Sequence, residues 1–352
     1  MNASSLPKRL AVRTHCAAAA MLLITLVLTN DTTSPAAEPT KAANAGAETT
    51  GKPIAARPAS DGRTLKVITY NVQFLPGPGA VANKRKNPSY RAQRVGTLLA
   101  DFDLVGLNEV FEQKPRELLL EQLKSAWGTH FQEVVIPKPN DERFMGGLAI
   151  AGRSQFLETH HVLFSQGSSV KKYGLKADGF AAKGVLHARV WRGGEFPKTE
   201  FVDVFITHLE SKDDAIRELQ YGELADFVRQ HADPSHPTIV MGDMNTRGNP
   251  SYQQQSDSPY NRMLKAYNSA RPERPFVDLW PALQGEKLGG TNEQESSDIG
   301  NRIDYIFLSN PPAGHSRLEA KSVRVNGYLD AKVVALSDHS AVEADLEWVD
   351  GK

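Results

Sequence analysis

The sequence contains a single cysteine among its 352 residues, and this residue, Cys16, lies in a segment with the features of a targeting signal. A protein from which that segment is removed would have no cysteine. Disulfide bonds and zinc sites built from thiolates are therefore excluded from the expected mature protein. Cys16 also precedes the apolar part of the segment, whereas the cysteine of a lipid-anchored bacterial protein would follow it.

The N-terminal segment has only a short apolar run, residues 17–29, which is too short to span a bilayer comfortably. The run follows a basic region formed by Lys8, Arg9 and Arg13. Small residues suited to signal peptidase cleavage occur near Ala37. We therefore predict a signal peptide over residues 1–37 and a protein that is secreted or periplasmic, with an uncleaved membrane anchor as the alternative. Residues 38–62 are rich in alanine, threonine and proline, and we predict that they form a disordered linker.

Neither sign of charge is in excess, since lysine plus arginine and aspartate plus glutamate each number 41. This balance gives no reason to expect a general polyanion-binding surface, although a local basic cleft stays open. With 40% hydrophobic residues, the chain can bury a large core. Because no low-complexity break interrupts residues 63–350, we predict one domain over that range.

Strand and helix patterns alternate along this domain. Eight β-branched or apolar runs predict strands, namely TLKVITYNV, DLVGLNEV, GLAIAG, GVLHARVW, EFVDVFITHL, TIVMGD, RIDYIFLS and AVEADLEWV. Apolar residues at helical spacing predict helices around residues 95–102, 119–127 and 216–228, and Asp213 and Asp214 are candidate N-cap residues of the third. The strands are too many for a simple doubly wound sheet, so we predict an α/β sandwich with mixed sheets.

Carboxylates follow two of these strands. Glu109 leaves a buried strand in GLNEVF, where a charge needs a partner or a metal, and a hard cation such as Mg²⁺ prefers oxygen ligands. In VMGDMN we expect Asp243 and Asn245 to project to the same side. Asp243 would orient or deprotonate a water, and Asn245 would donate to a phosphate oxygen. Each motif alone has an ordinary alternative, a salt-bridged strand end for Glu109 and an Asx turn for GDMN.

Two histidines and a third carboxylate extend the set. His208 ends the strand of EFVDVFITHL, a position where a lone histidine is more often structural. His339 follows Asp338 in the turn SDH, before the last strand. Asp304 is a charge inside the apolar run RIDYIF and should have a partner. We predict that Asp304 holds His339 and thereby sets its tautomer and orientation.

In this order, TYNV, LNEVF, THLES, GDMN, RIDYIF and SDHSAV resemble the motifs of the endonuclease/exonuclease/phosphatase superfamily across nearly all of residues 64–349. Within it, NEVF, GGLAIAGR, AAKGVLHARV and THLES with IRELQYGELADFV are most similar to the sphingomyelinase C (neutral sphingomyelinase) branch. The resemblance implies a four-layer α/β sandwich of two mixed β-sheets flanked by helices. It also implies hydrolysis of a phosphoester with Mg²⁺, or alternatively Mn²⁺ or Co²⁺, as cofactor.

The resemblance further implies roles for individual residues. The residues implied to hold the metal are Glu109, Asn71 and Asp338. The residues implied to carry catalysis are His208, Asp243, His339 and Asp304. The residues implied to bind substrate are Asn245, Lys183 and Asp178. Without the resemblance, Lys183 would be a solvated lysine on an edge strand and Asp178 an ordinary loop residue.

We therefore predict a secreted, monomeric phosphodiesterase that converts sphingomyelin to ceramide and phosphocholine, with phospholipid as its partner and peripheral contact with membranes. An extracellular nuclease of the same superfamily, with nucleic acid as substrate, is one alternative, and a non-catalytic surface-binding protein is another. The sequence departs from the family at Glu112, where aspartate is common. It also has Tyr328 as the only aromatic residue of 311–336, where secreted bacterial sphingomyelinases carry an aromatic-tipped membrane hairpin. The loop-rich residues 246–300 either shape substrate access or form a variable surface insertion.

Overall fold

A computed structural model of the chain describes residues 63–76, 86–141, 143–174, 177–191, 201–292 and 300–351. The predicted signal peptide and linker lie outside these residues. Within the described ranges, no helix is long and apolar enough to cross a membrane.

Two six-stranded sheets form the centre of the fold. The first contains β1 (Thr64–Asn71), β2 (Leu104–Asn108), β3 (Gln132–Val135), β4 (Ala149–Gly152), β11 (Arg317–Asn326) and β14 (Ala341–Val349), in the spatial order β11-β14-β1-β2-β4-β3. The second contains β5 (Phe156–Leu163), β6 (Gly184–Trp191), β7 (Phe201–His208), β8 (Thr238–Asp243), β9 (Val277–Asp278) and β10 (Asp304–Ser309), in the order β5-β6-β7-β8-β10-β9. A small hairpin pairs β12 (Leu329–Asp330) with β13 (Val334–Ala335).

The described residues also form α-helices. They are α1 (Pro88–Leu99), α2 (Gln113–Trp127), α3 (Val170–Tyr173), α4 (Asp214–His231), α5 (Pro250–Gln253), α6 (Pro259–Ala270) and α7 (Leu279–Gln284). The three helices predicted from apolar spacing correspond to α1, α2 and α4. The Asp213 side chain accepts a hydrogen bond from the Ile216 N–H at 3.4 Å, so the predicted N-cap of α4 is confirmed.

The core is divided into three apolar layers by the two sheets. Between the sheets, alternate residues of the strands face each other, as Val67 of β1 and Ile206 of β7 do. The outer face of the first sheet packs against α1 and α2, with Ile68 in that layer. The outer face of the second sheet packs against α4 and α6, with Phe205 in that layer. The predicted four-layer sandwich of two mixed sheets is confirmed.

The strand directions bring several strand ends to one edge of the sandwich. β1 and β2 are parallel, as are β7 and β8, so each pair ends at the same edge of its sheet. β10 runs antiparallel to β8 with Asp304 opposite Asp243, and β14 runs antiparallel to β1 with Val342 opposite Thr69. The last residues of four strands and the first residues of two others therefore meet at this edge.

Candidate active site

Asn71 links the two sheets at this edge. It is the last residue of β1, and it is fully buried. Its Nδ2 donates to Glu109 Oε1 at 3.0 Å and to Asp243 Oδ2 at 3.1 Å. Glu109 follows β2 in the first sheet and Asp243 ends β8 in the second. A neutral amide therefore holds two carboxylates of different sheets beside each other.

Glu109 leaves its strand in a left-handed backbone conformation, with φ at 59°. This conformation ends the side-chain alternation of β2 and is uncommon for a residue with a side chain. The surrounding protein opposes its charge: burial, and then the negative charge of Asp338, raise the pKa of Glu109 to about 7. A positive ion at this position would reverse that effect.

His208 ends β7 and faces both carboxylates. Its Nε2 lies 3.5 Å from Asp243 Oδ2 and 4.0 Å from Glu109 Oε1. Burial, and then the positive charge of Lys183, lower the pKa of His208 to about 4, so the ring is neutral at physiological pH. Its buried Nδ1 has no hydrogen-bond partner among the described residues.

The predicted contact between Asp304 and His339 is present. His339 Nδ1 lies 2.8 Å from Asp304 Oδ2, and both side chains are buried. The other ring nitrogen, Nε2, lies 3.8 Å from Asp243 Oδ2. Burial lowers the pKa of His339, but the nearby charges of Asp304 and Asp243 outweigh burial, and the pKa lies well above its usual value near 6.5.

The GDMN segment is a turn as well as part of the site. Gly242 has φ at 132°, and a Cβ there would lie 2.1 Å from the Thr207 carbonyl oxygen, so only glycine fits. β8 ends at Asp243, whose Oδ1 accepts from the Asn245 N–H at 2.9 Å, and Asn245 has φ at 47°. Strand alternation therefore does not reach Asn245, so the period-two spacing from which the same-side projection was predicted does not apply here.

Two of the predicted substrate-binding residues donate hydrogen bonds to the carbonyl of Leu209, and the third pairs with one of them. Asn245 Nδ2 donates to this carbonyl at 2.9 Å and Lys183 Nζ donates to it at 2.7 Å. Lys183 also lies 2.7 Å from Asp178 Oδ2. Burial raises the pKa of Asp178, but the attraction of Lys183 outweighs burial and holds that pKa well below its usual range. Because Lys183 is only 6% exposed, it is a buried ion-pair residue and not a solvated lysine.

The donor set fits a hard divalent cation. Glu109, His208 and Asp243 place one ligand atom each within 4.8 Å of one another, and Asp243, Asp304 and His339 form a second such group. Burying several carboxylates together is unfavourable unless a positive charge accompanies them. Carboxylate and amide oxygens are the ligands that Mg²⁺ prefers. Glu109 belongs to the first group, whereas Asp338 belongs to neither. Asn71 presents its Nδ2 to Glu109 and Asp243, and its Oδ1 accepts from the Gln73 N–H at 3.2 Å, so in this arrangement Asn71 orients the carboxylates.

Two polar residues of the site were not predicted from the sequence. Gln73 is buried, and its Nε2 donates to Asp338 Oδ2. Asn292 Nδ2 lies 3.3 Å from His339 Nε2. Gln73 stands in an apolar run two residues after Asn71. A polar residue in that run was the signal that could have identified it as part of the site. Asn292 belongs to the loop-rich region 246–300, and its position brings part of that region into the site.

Comparisons with known proteins agree with this fold. A Caenorhabditis elegans protein named "Putative neutral sphingomyelinase" is 27% identical over 200 residues, which are 52% of this chain and 41% of that protein, so the chain spans about two-fifths of that relative's length. A beta-toxin variant from Staphylococcus aureus solved with bound magnesium ions covers 82% of this chain and 99% of its own, with 18% identity and a TM-score of 0.54. A humanized TDP2 from D. rerio covers 80% of this chain and 98% of its own, with 18% identity and a TM-score of 0.55. At these identities the solved structures establish the fold.

A family model gives the more specific result. The model of the Endonuclease/Exonuclease/phosphatase family matches residues 68–339, which is well over half of the chain. The matched range begins before Asn71 and ends at His339, so it includes all of the strand ends described above. The resemblance seen in the motifs is confirmed, and the sphingomyelinase-like relative is consistent with the branch it indicated. The chain belongs to the endonuclease/exonuclease/phosphatase family of hydrolases.

Proposed function

We propose that the protein is a secreted or periplasmic, Mg²⁺-dependent phosphodiesterase of the sphingomyelinase C type, which hydrolyses sphingomyelin to ceramide and phosphocholine. The observation that carries this proposal is the convergence of two groups of side chains on Asp243. One group, with Glu109 and His208, suits a metal and a phosphate. The other, with Asp304 and His339, suits the activation of a water. The sphingomyelinase-like relative favours this substrate class.

The attacking water is activated by His339. Asp304 can only accept a hydrogen bond when ionised, so the ring carries its proton on Nδ1, and Nε2 is left to take the proton of the water. Asp243 lies 3.8 Å from that nitrogen and orients the water by accepting its other hydrogen. The oxygen of the water then attacks phosphorus in line with the leaving alcohol.

Hydrogen-bond donors and positive charges of the site stabilise the negative charge that develops on the phosphate oxygens. His208 stays neutral because its pKa is about 4, so it can donate one hydrogen bond without first losing a proton. Lys183 adds positive potential from its buried position beside Asp178. A Mg²⁺ ion held by Glu109, which Asn71 orients and on which the charge of Asp338 acts, would supply further positive charge to these oxygens.

The small hairpin β12–β13 supports peripheral contact with a lipid surface. Leu329 and Val334 are 72% and 80% exposed, the highest values among the exposed large hydrophobic residues that the structure describes. They lie on the hairpin that leads into Asp338 and His339. We expect L329S with V334S to weaken co-sedimentation with sphingomyelin vesicles while leaving hydrolysis of a short-chain, monomeric substrate unchanged. Val277→Ser, which changes another exposed apolar residue of a different element, is the control and should bind vesicles normally.

A substrate panel tests the proposed function directly. Purified protein is incubated with Mg²⁺ or EDTA and with sphingomyelin, lysophospholipid, phosphatidylcholine, duplex DNA or a phosphomonoester. We expect phosphocholine release from sphingomyelin that requires the metal and is lost in H339A. Preferential cleavage of DNA would assign a nuclease instead. No turnover of any substrate, together with specific vesicle binding, would favour a non-catalytic role.

A further inference from the structure

We infer that Thr291 and Asn292 form a strap, a two-residue segment that positions the Asp304–His339 pair for catalysis. The two partners of this pair belong to different sheets. Asp304 begins β10 of the second sheet, whereas His339 lies in the turn before β14 of the first. The strap lies between these two elements and hydrogen-bonds to both. The inference rests on the proposed role of His339 as the base.

Thr291 fixes the backbone on both sides of the pair. It is fully buried, and its Oγ1 accepts hydrogen bonds from the Ile303 and Asp304 N–H groups, both at 3.1 Å. Its carbonyl accepts from the Ser340 N–H, the residue after His339, at 2.7 Å. One side chain and one carbonyl of the same residue therefore join the start of β10 to the start of β14.

Asn292 acts on the imidazole itself. Its Nδ2 lies 3.3 Å from His339 Nε2, while Asp304 occupies Nδ1 at 2.8 Å, so both ring nitrogens have a partner and rotation of the ring breaks two contacts. An amide has both a donor and an acceptor. It donates to Nε2 of the neutral ring in the free protein, and the attacking water replaces it there before Nε2 takes the proton. Alanine cannot donate to Nε2, and an ionised aspartate has no proton to donate.

Asn292→Ala tests the strap without disturbing buried backbone. The loss of one neutral hydrogen bond should lower kcat on the preferred substrate about 2- to 12-fold and leave KM unchanged, since the ring still binds Asp304. Asn249→Ala is the matched control, because its amide donates to the Gly300 carbonyl in the same loop region and does not contact His339. Thr291→Val should lower kcat further, and Thr291→Ser, which keeps the hydroxyl, should restore it.

A spectroscopic readout separates positioning from general loop stability. In the metal-free protein with ¹⁵N-labelled histidine, at a pH where the ring is neutral, Asn292→Ala should move the His339 Nε2 signal and leave Nδ1 largely in place. Asn249→Ala should move neither. Unchanged His339 signals in Asn292→Ala, or an equal loss of kcat in Asn249→Ala, would overturn the inference. If Thr291→Val fails to fold, the Asn292 variants still decide it.

The same measurements distinguish this inference from the proposed function. An active wild-type protein that loses activity in H339A but keeps it in Asn292→Ala, with His339 signals unchanged, would refute the strap alone. A wild-type protein inactive on every substrate would refute the proposed function. In that case the ring signals would still show whether Asn292 holds His339, and unchanged signals would overturn the strap as well.

Discussion

Replacing Glu109 with glutamine should stabilise the metal-free protein while removing its response to Mg²⁺. Burial and Asp338 raise the pKa of Glu109 from 4.5 to about 7, so the fold resists ionisation of this side chain. The resulting penalty is absent below pH 4.5, grows between pH 4.5 and 7, and is complete above pH 7. At pH 8 it amounts to roughly 3 kcal/mol, at about 1.4 kcal/mol per pKa unit. Glutamine removes this charge but keeps an oxygen that can accept from Asn71.

Urea unfolding at pH 8 and pH 4, with and without Mg²⁺, measures both parts of this prediction. We expect metal-free Glu109→Gln to be more stable than the wild type at pH 8, by up to about 3 kcal/mol, and no more stable at pH 4. Mg²⁺ should stabilise the wild type at pH 8 and not the variant, because binding to the folded state alone raises stability. Hydrolysis should collapse in the variant.

The affinity for Mg²⁺ should also depend on pH in the wild type. Glu109 must lose its proton to bind the ion, so the apparent affinity should fall about tenfold between pH 8 and pH 6. Glu112→Gln is the control, since it alters a carboxylate three residues away and should keep the metal response. A metal-free Glu109→Gln that is less stable at pH 8, or one that Mg²⁺ still stabilises, would refute the reasoning.

Three further predictions follow from the site and the N-terminus. His339→Ala should lower kcat about 10²-fold or more and abolish the acidic limb of the pH–rate profile, which should lie above pH 6.5 because nearby carboxylates raise the pKa of His339. His208→Ala should keep that limb; if it abolished activity while His339→Ala did not, His208 would be the base. Lys183→Met should destabilise the fold by about 1–3 kcal/mol in urea unfolding, since the partly buried Asp178 would lose its ion-pair partner and keep only the hydrogen bond from the Ser211 N–H, and an unchanged midpoint would contradict this. N-terminal sequencing of the exported protein should start between residues 30 and 50, and an intact Met1 on a membrane-bound product would show an anchor.

The interior of both sheets was predictable from the sequence. β6, β8 and β14 have the bounds of the predicted runs GVLHARVW, TIVMGD and AVEADLEWV. Each is a continuous or alternating apolar run in a strand that has a neighbouring strand on both sides. Burial at such positions requires apolar residues. The pattern is strong there because one face of each strand packs into the apolar layer between the two sheets.

The strands that the sequence analysis missed lie at the edges of the two sheets or in the small hairpin. β3 and β11 are the edges of the first sheet, and β5 and β9 are the edges of the second. Sequences such as FLETHHVL of β5 and RLEAKSVRVN of β11 are half exposed and carry charges. Polar and charged residues are expected on exposed edges, so apolar periodicity is a weak guide to them.

The site was predictable where strands end and not where loops return. Glu109, His208 and Asp243 follow apolar runs, which marked them as candidates, and the family resemblance added Asn71 and implied that the four share one site. Asp304 was found because a charge in an apolar run needs a partner. Asn292 could not be found in this way, since its contact with His339 depends on the path of a long loop.

The alternation of side chains along a strand does not predict the positions of site residues at this edge, and the reason is physical. Three non-glycine residues of the site, Gln73, Glu109 and Asn245, have positive φ, a conformation that costs on the order of 1 kcal/mol or more for each. Contacts outside the strands hold them there: the Phe74 N–H donates to the Glu109 carbonyl at 2.9 Å, and Arg91 donates to the Gln73 carbonyl at 2.7 Å. Each turn takes a side chain out of strand alternation. Tertiary contacts therefore hold these residues in a strained backbone conformation that directs their side chains into the site. The apolar pattern of a strand does not predict this conformation.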